Sequence, residues 1–203
     1  AAIVARDKEF VNLSDARLRE AAHEMRDLFR LGRQTPEQVD TAFALVREIS
    51  MRTVGMRHYM VQVACALALY NKCIVEMATG EGKTLSAVIP ATIFGWRGRG
   101  CHVLTTNDYL AQRDAQIMAP VYQFCGLNVD YVTSEMTPER RKQAYLADVT
   151  YSTNKEVTAD FLRDRLTMGR LKGLPAALLA KIAQGAAGEP DRLVMRSREY
   201  SSI

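Results

Sequence analysis

The apolar positions along the chain change their period, and the change divides it. Up to Gly55 they recur at helical spacing. Leu18, Ala22, Met25, Leu28 and Phe29 share one helical face, with Ser14 placed as an N-cap and Gly32 as a stop. A second start follows, with Thr35 as N-cap, Pro36 at the first helical position and Gln38 completing a capping box. Val39, Phe43, Val46 and Ile49 continue that helix until Gly55 closes it. Two helices packed through their apolar stripes are expected over residues 1–55. A membrane-touching amphipathic start at Ala1–Val11 stays open, but the segment is short and its charges are mixed.

From Met56 to Arg165 short apolar runs alternate with helical patterns. Candidate strands are Lys72–Met77, Cys101–Thr106, Asn128–Thr133 and Val149–Thr153, and the crossovers are Lys83–Phe94, Asp108–Phe124 and Pro138–Ala147. Strands joined by helical crossovers predict an α/β fold with a parallel sheet flanked by helices. Pro90 is expected to kink or shorten the first crossover helix. The remainder is less regular. Leu171–Ala187 is Leu/Ala-rich but broken by Gly173, Pro175 and Gly185, Gly188–Asp191 reads as a turn, and Leu193–Ile203 carries a weak strand pattern.

Composition narrows the class. With 203 residues and 48% hydrophobic, the chain can bury one sizeable core. The longest uncharged stretches, Tyr59–Asn71 and Thr84–Trp96, fall short of the roughly 20 residues a bilayer span needs. Cys65, Cys73, Cys101 and Cys125 form no C-x-x-C pair, so neither a zinc site nor a disulfide framework is suggested and a reducing cytosol is the simplest home. A net charge of +4 is too small to argue for nucleic acid.

The sharpest chemistry is Thr79-Gly80-Glu81-Gly82-Lys83-Thr84, placed after a candidate strand and opening a helix. Gly80 and Gly82 allow the main chain to curl so that successive N–H groups face phosphate oxygens. The helix N-terminus adds positive potential. Lys83 would reach the β- and γ-phosphates of ATP, and the Thr84 hydroxyl would ligate Mg2+. One departure is plain: Met77 stands where the phosphate-loop pattern begins with glycine.

Four segments then carry a resemblance. They are Gly55–Gln62, Glu76–Thr84, His102–Asp114, and Thr150–Asn154 with Asp160–Asp164. In order and at plausible spacing, they resemble the motor domain of the SecA preprotein translocase family, including the methionine at the head of the phosphate loop. The resemblance implies a P-loop NTPase with a helicase-type, RecA-like sheet. It makes residues 56–203 a partial nucleotide-binding motor domain behind the N-terminal helical segment. It implies that Gln62 bonds the adenine edge, with Met56 and Tyr59 as apolar neighbours of the base, and that Gly80, Glu81, Gly82, Lys83 and Thr84 hold the phosphates and metal. Without the family, Gln62 is an ordinary polar residue near a helix start. Asn107, Asp108 and Arg113 would line the motor cleft, although a plain helix N-cap explains Asp108 equally well. Arg163 would couple nucleotide state to substrate, or simply sit exposed beside Asp164.

By the same resemblance the partners are a preprotein and the membrane protein-conducting channel. The location is cytoplasmic and peripheral at the inner membrane. In this family an Asp-Glu pair at a strand end helps hold magnesium and positions the attacking water. Leu193–Ile203 occupies the approach to that strand, and no such pair appears in the sequence. The preprotein-binding insertion, the second motor domain and the zinc-binding tail have no counterpart either. The chain therefore reads as the opening part of a motor, with weak nucleotide binding and little turnover expected of it alone. Two other classes stay open: a helicase-type nucleic-acid ATPase, for which Arg140-Arg141-Lys142 is basic enough unless it is a solvated helix face, and a non-hydrolysing nucleotide-binding regulatory module.

Overall fold

The computed structural model describes residues 2–170, 194–195 and 201–203. A short helix α1 (Ala2–Ala5) and a 3-10 turn (Arg6–Glu9) lead into α2 (Asp15–Arg30) and α3 (Pro36–Val54). Their caps follow the sequence. Ser14 Oγ accepts from Arg17 N at 3.4 Å, and the Thr35–Gln38 capping box is closed in both directions. Gly55 ends α3 in the left-handed conformation (φ 71°). Ile3 and Phe10 are buried in the core, whereas Val11 is exposed.

Next come α4 (Met60–Tyr70), α5 (Lys83–Trp96), β1 (Cys101–Thr105), α6 (Asp108–Phe124), β2 (Val129–Tyr131), α7 (Pro138–Ala144), β3 (Val149–Thr153), α8 (Asn154–Arg170) and β4 (Ser201–Ser202). The sheet order is β2-β3-β1-β4, and every pairing is parallel. β1 and β3 align Cys101 with Val149 through to Thr105 with Thr153. β3 is buried at all five positions, as a strand covered on both faces must be. The α/β parallel-sheet expectation is met.

Two elements differ from the sequence reading. Lys72–Met77 does not join the sheet. Lys72 turns at φ 63°, and residues 73–78 run on outside any helix or strand, with Ile74 fully exposed. A strand needs a neighbour for its amides and carbonyls, and no described strand lies beside this segment. Pro90 neither shortens nor stops α5, which continues to Trp96. Every residue from Val88 to Trp96 is buried, and that packing outweighs the proline penalty. The Leu/Ala-rich stretch Leu171–Ala187 and the Gly188–Asp191 turn lie outside the described residues, and of the Leu193–Ile203 strand pattern residues 194–195 and 201–203 are described, with β4 as the strand among them.

One apolar core runs through the molecule. Leu18 and Phe29 of α2, Phe43 and Ile49 of α3, Ile93 and Trp96 of α5, Tyr122 of α6 and Tyr151 of β3 belong to it. A smaller cluster joins Val132, Ala144 and Tyr145 to Val194 and Met195. Asp164 holds these last two residues by accepting from Val194 N (2.8 Å) and Met195 N (2.7 Å).

Charged groups lock the first helices to the segment behind the loop. The Asp7 carboxylate pairs with Arg47 and Arg57, and Glu48 pairs with Arg52 and Arg57. Arg47 Nε also donates to His58 O at 2.7 Å. Residues 55–59 are thereby fastened to α3, which fixes where α4 begins.

Candidate nucleotide-binding site

The Thr79–Thr84 loop turns between residues 73–78 and α5. Gly80 and Gly82 both lie in the left-handed region, at φ 89° and 79°. A Cβ on Gly80 would meet nothing within 4 Å, so that face of the loop is open. A Cβ on Gly82 would lie 2.2 Å from Gln62 Nε2, so glycine is needed there for space as well as for conformation. Gly82 caps α5 without any side-chain hydrogen bond. The first amides of α5 consequently carry neither a side-chain acceptor nor an intrahelical one, and they present N–H groups with the positive end of the helix dipole. Such an end suits an anion.

Lys83 is exposed, and its Nζ folds back to donate to Ala78 O at 2.8 Å, across the base of the loop. Thr84 Oγ1 donates to Asp114 Oδ2 at 3.1 Å. Asp114 is held in turn by its neighbour, because Arg113 Nε and Nη2 donate to Oδ1 at 2.8 and 2.6 Å. The Arg113 guanidinium lies 5.9 Å from the centre of the Tyr109 ring. Glu81 is exposed and contributes its backbone carbonyl to the loop's support.

Gln62 sits between two parts of the site. Its Oε1 accepts from Tyr59 N at 2.9 Å, and its Nε2 donates to Glu81 O at 2.9 Å. It therefore ties the start of α4 to the glycine loop, and both ends of its amide already have backbone partners. Tyr59 is 75% exposed and free to meet a flat ligand, whereas Met56 packs partly against the core. His58 is buried between them. Its Nε2 lies 2.8 Å from Leu85 O, so that nitrogen carries the proton and donates to the carbonyl. Burial, helped by the Arg47 charge, pushes its pKa down to about 4 against the upward pull of that hydrogen bond.

A cavity of about 510 Å3 opens beside the loop, lined by Met77, Lys83, Thr84, Val103, Thr105 and Asp114 among others. A larger one, about 890 Å3, lies at Arg30, Lys72 and Arg97 and touches no residue of the loop. Of the two, only the smaller cavity is lined by loop residues, Lys83 and Thr84.

The other sequence candidates fall as follows. Asn107, not Asp108, caps α6, accepting from Leu110 N at 2.8 Å. Asp108 instead reaches Ser134, whose N and Oγ donate to Oδ2 at 2.7 and 2.6 Å. Arg163 pairs with Asp160 at 2.7 Å. Arg140 is exposed, as on a solvated helix face, and makes a forked pair with Asp130, whereas Arg141 is buried against Asp160 and Glu156. The sequence reading missed Asp114 as a partner of Thr84. The only signal was its place in the His102–Asp114 segment, because the two residues stand thirty positions apart.

No helix among the described residues is long and apolar enough to cross a membrane. The profile of the SecA DEAD-like domain matches residues 1–198. A protein translocase subunit SecA of Nitrosococcus oceani is 47% identical over 166 residues, covering 82% of this chain and 18% of that protein. The protein of the same name from Rubrobacter xylanophilus is 40% identical over 201 residues, covering 99% of this chain and 20% of its own length. That of Francisella tularensis subsp. novicida is 43% identical over 197 residues, covering 97% and 20%. The chain thus spans about a fifth of the length of these relatives. With the glycine loop, its helix mouth and the parallel sheet in place, the match settles the kinship: the chain belongs to the SecA DEAD-like domain family.

Proposed function

We propose that this chain is the ATP-binding part of a SecA-like motor that couples ATP hydrolysis to preprotein translocation across the bacterial inner membrane. The observation that carries the reading is the loop itself: two left-handed glycines and an uncapped helix mouth beside an open cavity. Backbone amides from Gly80 to Thr84 cradle the phosphates of ATP. Lys83 leaves Ala78 O to pair with the phosphate oxygens. Met56, Tyr59 and Gln62 form the adenine side, Tyr59 offering an exposed ring and Gln62 fixing the distance between base and phosphate subsites. Glu81 contributes its main chain to the loop.

Thr84 supplies the protein's oxygen to Mg2+, which bound with ATP neutralises the triphosphate. The site suits the metal in that the Thr84 hydroxyl gives its proton to Asp114 and keeps its lone pairs free. In this reading residues 56–203 are the partial nucleotide-binding motor domain, and residues 1–55 are a helical segment bracing it. The preprotein and the membrane protein-conducting channel are the partners, and the site of action is the cytoplasmic face of the inner membrane. The support for these is the relatives' name, protein translocase subunit.

Turnover by this chain is expected to be slow. Its sequence holds no adjacent Asp-Glu pair to position the attacking water. Calorimetric titration with ATP and Mg2+ tests the reading. Saturable binding is expected, weakened at least about tenfold, or roughly 1.4 kcal/mol, by Lys83→Ala. Equal affinity of the two proteins would remove Lys83, and with it the phosphate cradle, from the account.

A further inference from the structure

We propose that Asp114 is a positioning residue for the metal-bound nucleotide, acting through Thr84 and held in place by Arg113. The inference rests on the reading that Gly80–Thr84 binds ATP with Mg2+. Thr84 is the second residue of α5, and Asp114 lies in the second turn of α6. The carboxylate reaches across the interface between the helices, is only 6% exposed, and lines the same cavity as Lys83 and Thr84. Its two oxygens divide the work. Oδ1 takes both Arg113 donors, and Oδ2 takes the Thr84 hydroxyl.

The consequence is a matter of proton direction. A threonine hydroxyl has one proton and two lone pairs. Left alone it rotates, and it can donate to a phosphate oxygen as readily as it can face a cation. With its proton given to Asp114, Thr84 Oγ1 has only lone pairs to offer, which is what a hard divalent cation takes and what a phosphate oxygen refuses. The clamp from Arg113 keeps the carboxylate in the orientation that receives this proton. It also pairs the carboxylate's charge, so that a buried anion can stand next to the loop. Asp114 therefore favours nucleotide with metal over nucleotide without it, while contributing little to the phosphate cradle.

The test separates these two states of the ligand. ATP is titrated into the protein in EDTA, and Mg2+ is then titrated at fixed ATP. In Asp114→Asn, ATP affinity in EDTA should stay within about twofold of wild type, whereas the Mg2+ concentration for half-saturation should rise about tenfold. Thr84→Ala should raise it similarly, Thr84→Ser should restore the wild-type value, and the Asp114→Asn/Thr84→Ala double variant should be no worse than either single one. Should Asp114→Asn fail to fold, Arg113→Gln reads the same clamp from its exposed side and should shift the Mg2+ midpoint about threefold, again without effect in EDTA.

A loss that is equal with and without Mg2+ would make Asp114 an ordinary structural contact and overturn the proposal. So would an unchanged Mg2+ midpoint, or full additivity of the two substitutions. A wild-type protein that takes up no ATP in either buffer would instead bring down the nucleotide reading beneath it, an outcome visible before any variant is made.

Discussion

Gly82 has no room for a side chain, and the reason is a single neighbour. An alanine there would place Cβ 2.2 Å from Gln62 Nε2 and would also hold a left-handed φ of 79°. Gln62 would have to leave Glu81 O, and the backbone strain adds about 1–2 kcal/mol. Gly80→Ala meets the same backbone strain in open space. Urea melts should therefore show Gly82→Ala destabilised by more than Gly80→Ala, with ATP affinity reduced in both. His58 gives a second prediction. Its pKa is about 4 in the fold against 6.5 when exposed, so the folded state keeps it neutral while the unfolded chain takes up a proton. Stability due to this group is full above pH 6.5 and is lost as pH falls toward 4, by roughly 3 kcal/mol at the limit. His58→Gln, which still donates to Leu85 O, should flatten that part of the stability profile in melts between pH 7.5 and 4.5. At this scale the sequence was readable where neighbours in the chain are neighbours in space. Gly80, Gly82, Lys83 and Thr84 make one loop because they are consecutive. Asp114 was not readable as the partner of Thr84, since only the packing of α6 against α5 joins them. Arg47 and Glu48 sit on α3 like exposed charges in the sequence, yet both are buried and hold residues 57–58 through His58 O and Arg57.

Among the elements, helices announced themselves more clearly than strands. Asp108–Phe124 has the same bounds in sequence and structure, because its apolar stripe is a local signal, although Asn107 and not Asp108 supplies the cap. The α3 start is equally local: Thr35 and Gln38 satisfy each other's backbone donors. Thr35→Ala should lower stability by about 1 kcal/mol in denaturant melts, with no change in ATP affinity, because the cap lies far from the loop in sequence and touches none of it. Lys72–Met77 shows the opposite case. Its short apolar run Cys73-Ile74-Val75 is that of a strand, but a strand is completed by a partner, and none of the described strands supplies one. Pro90 marks a third kind of limit. Propensity predicts a break, whereas α5 is buried along its whole second half and carries the proline through.

For the whole molecule, the helices before Gly55 and the α/β part after it share one core. Leu18, Phe29, Phe43, Leu45 and Ile49 are all under 2% exposed, packed in the cluster that contains Ile89, Ile93 and Trp96. Uncovering several side chains of this size forfeits on the order of 10 kcal/mol, as much as a typical domain's entire stability. Deleting residues 1–55 should therefore leave residues 56–203 without a cooperative melt. The claim on which the rest depends concerns where ATP sits, and amide hydrogen exchange across the chain tests it most directly. On adding ATP and Mg2+, exchange should slow at residues 79–85, with a smaller effect at residues 59–62. The same protein carrying Lys83→Ala should lose the effect at both. Unchanged exchange at the glycine loop, or protection confined to the cavity at Arg30, Lys72 and Arg97, would contradict the account.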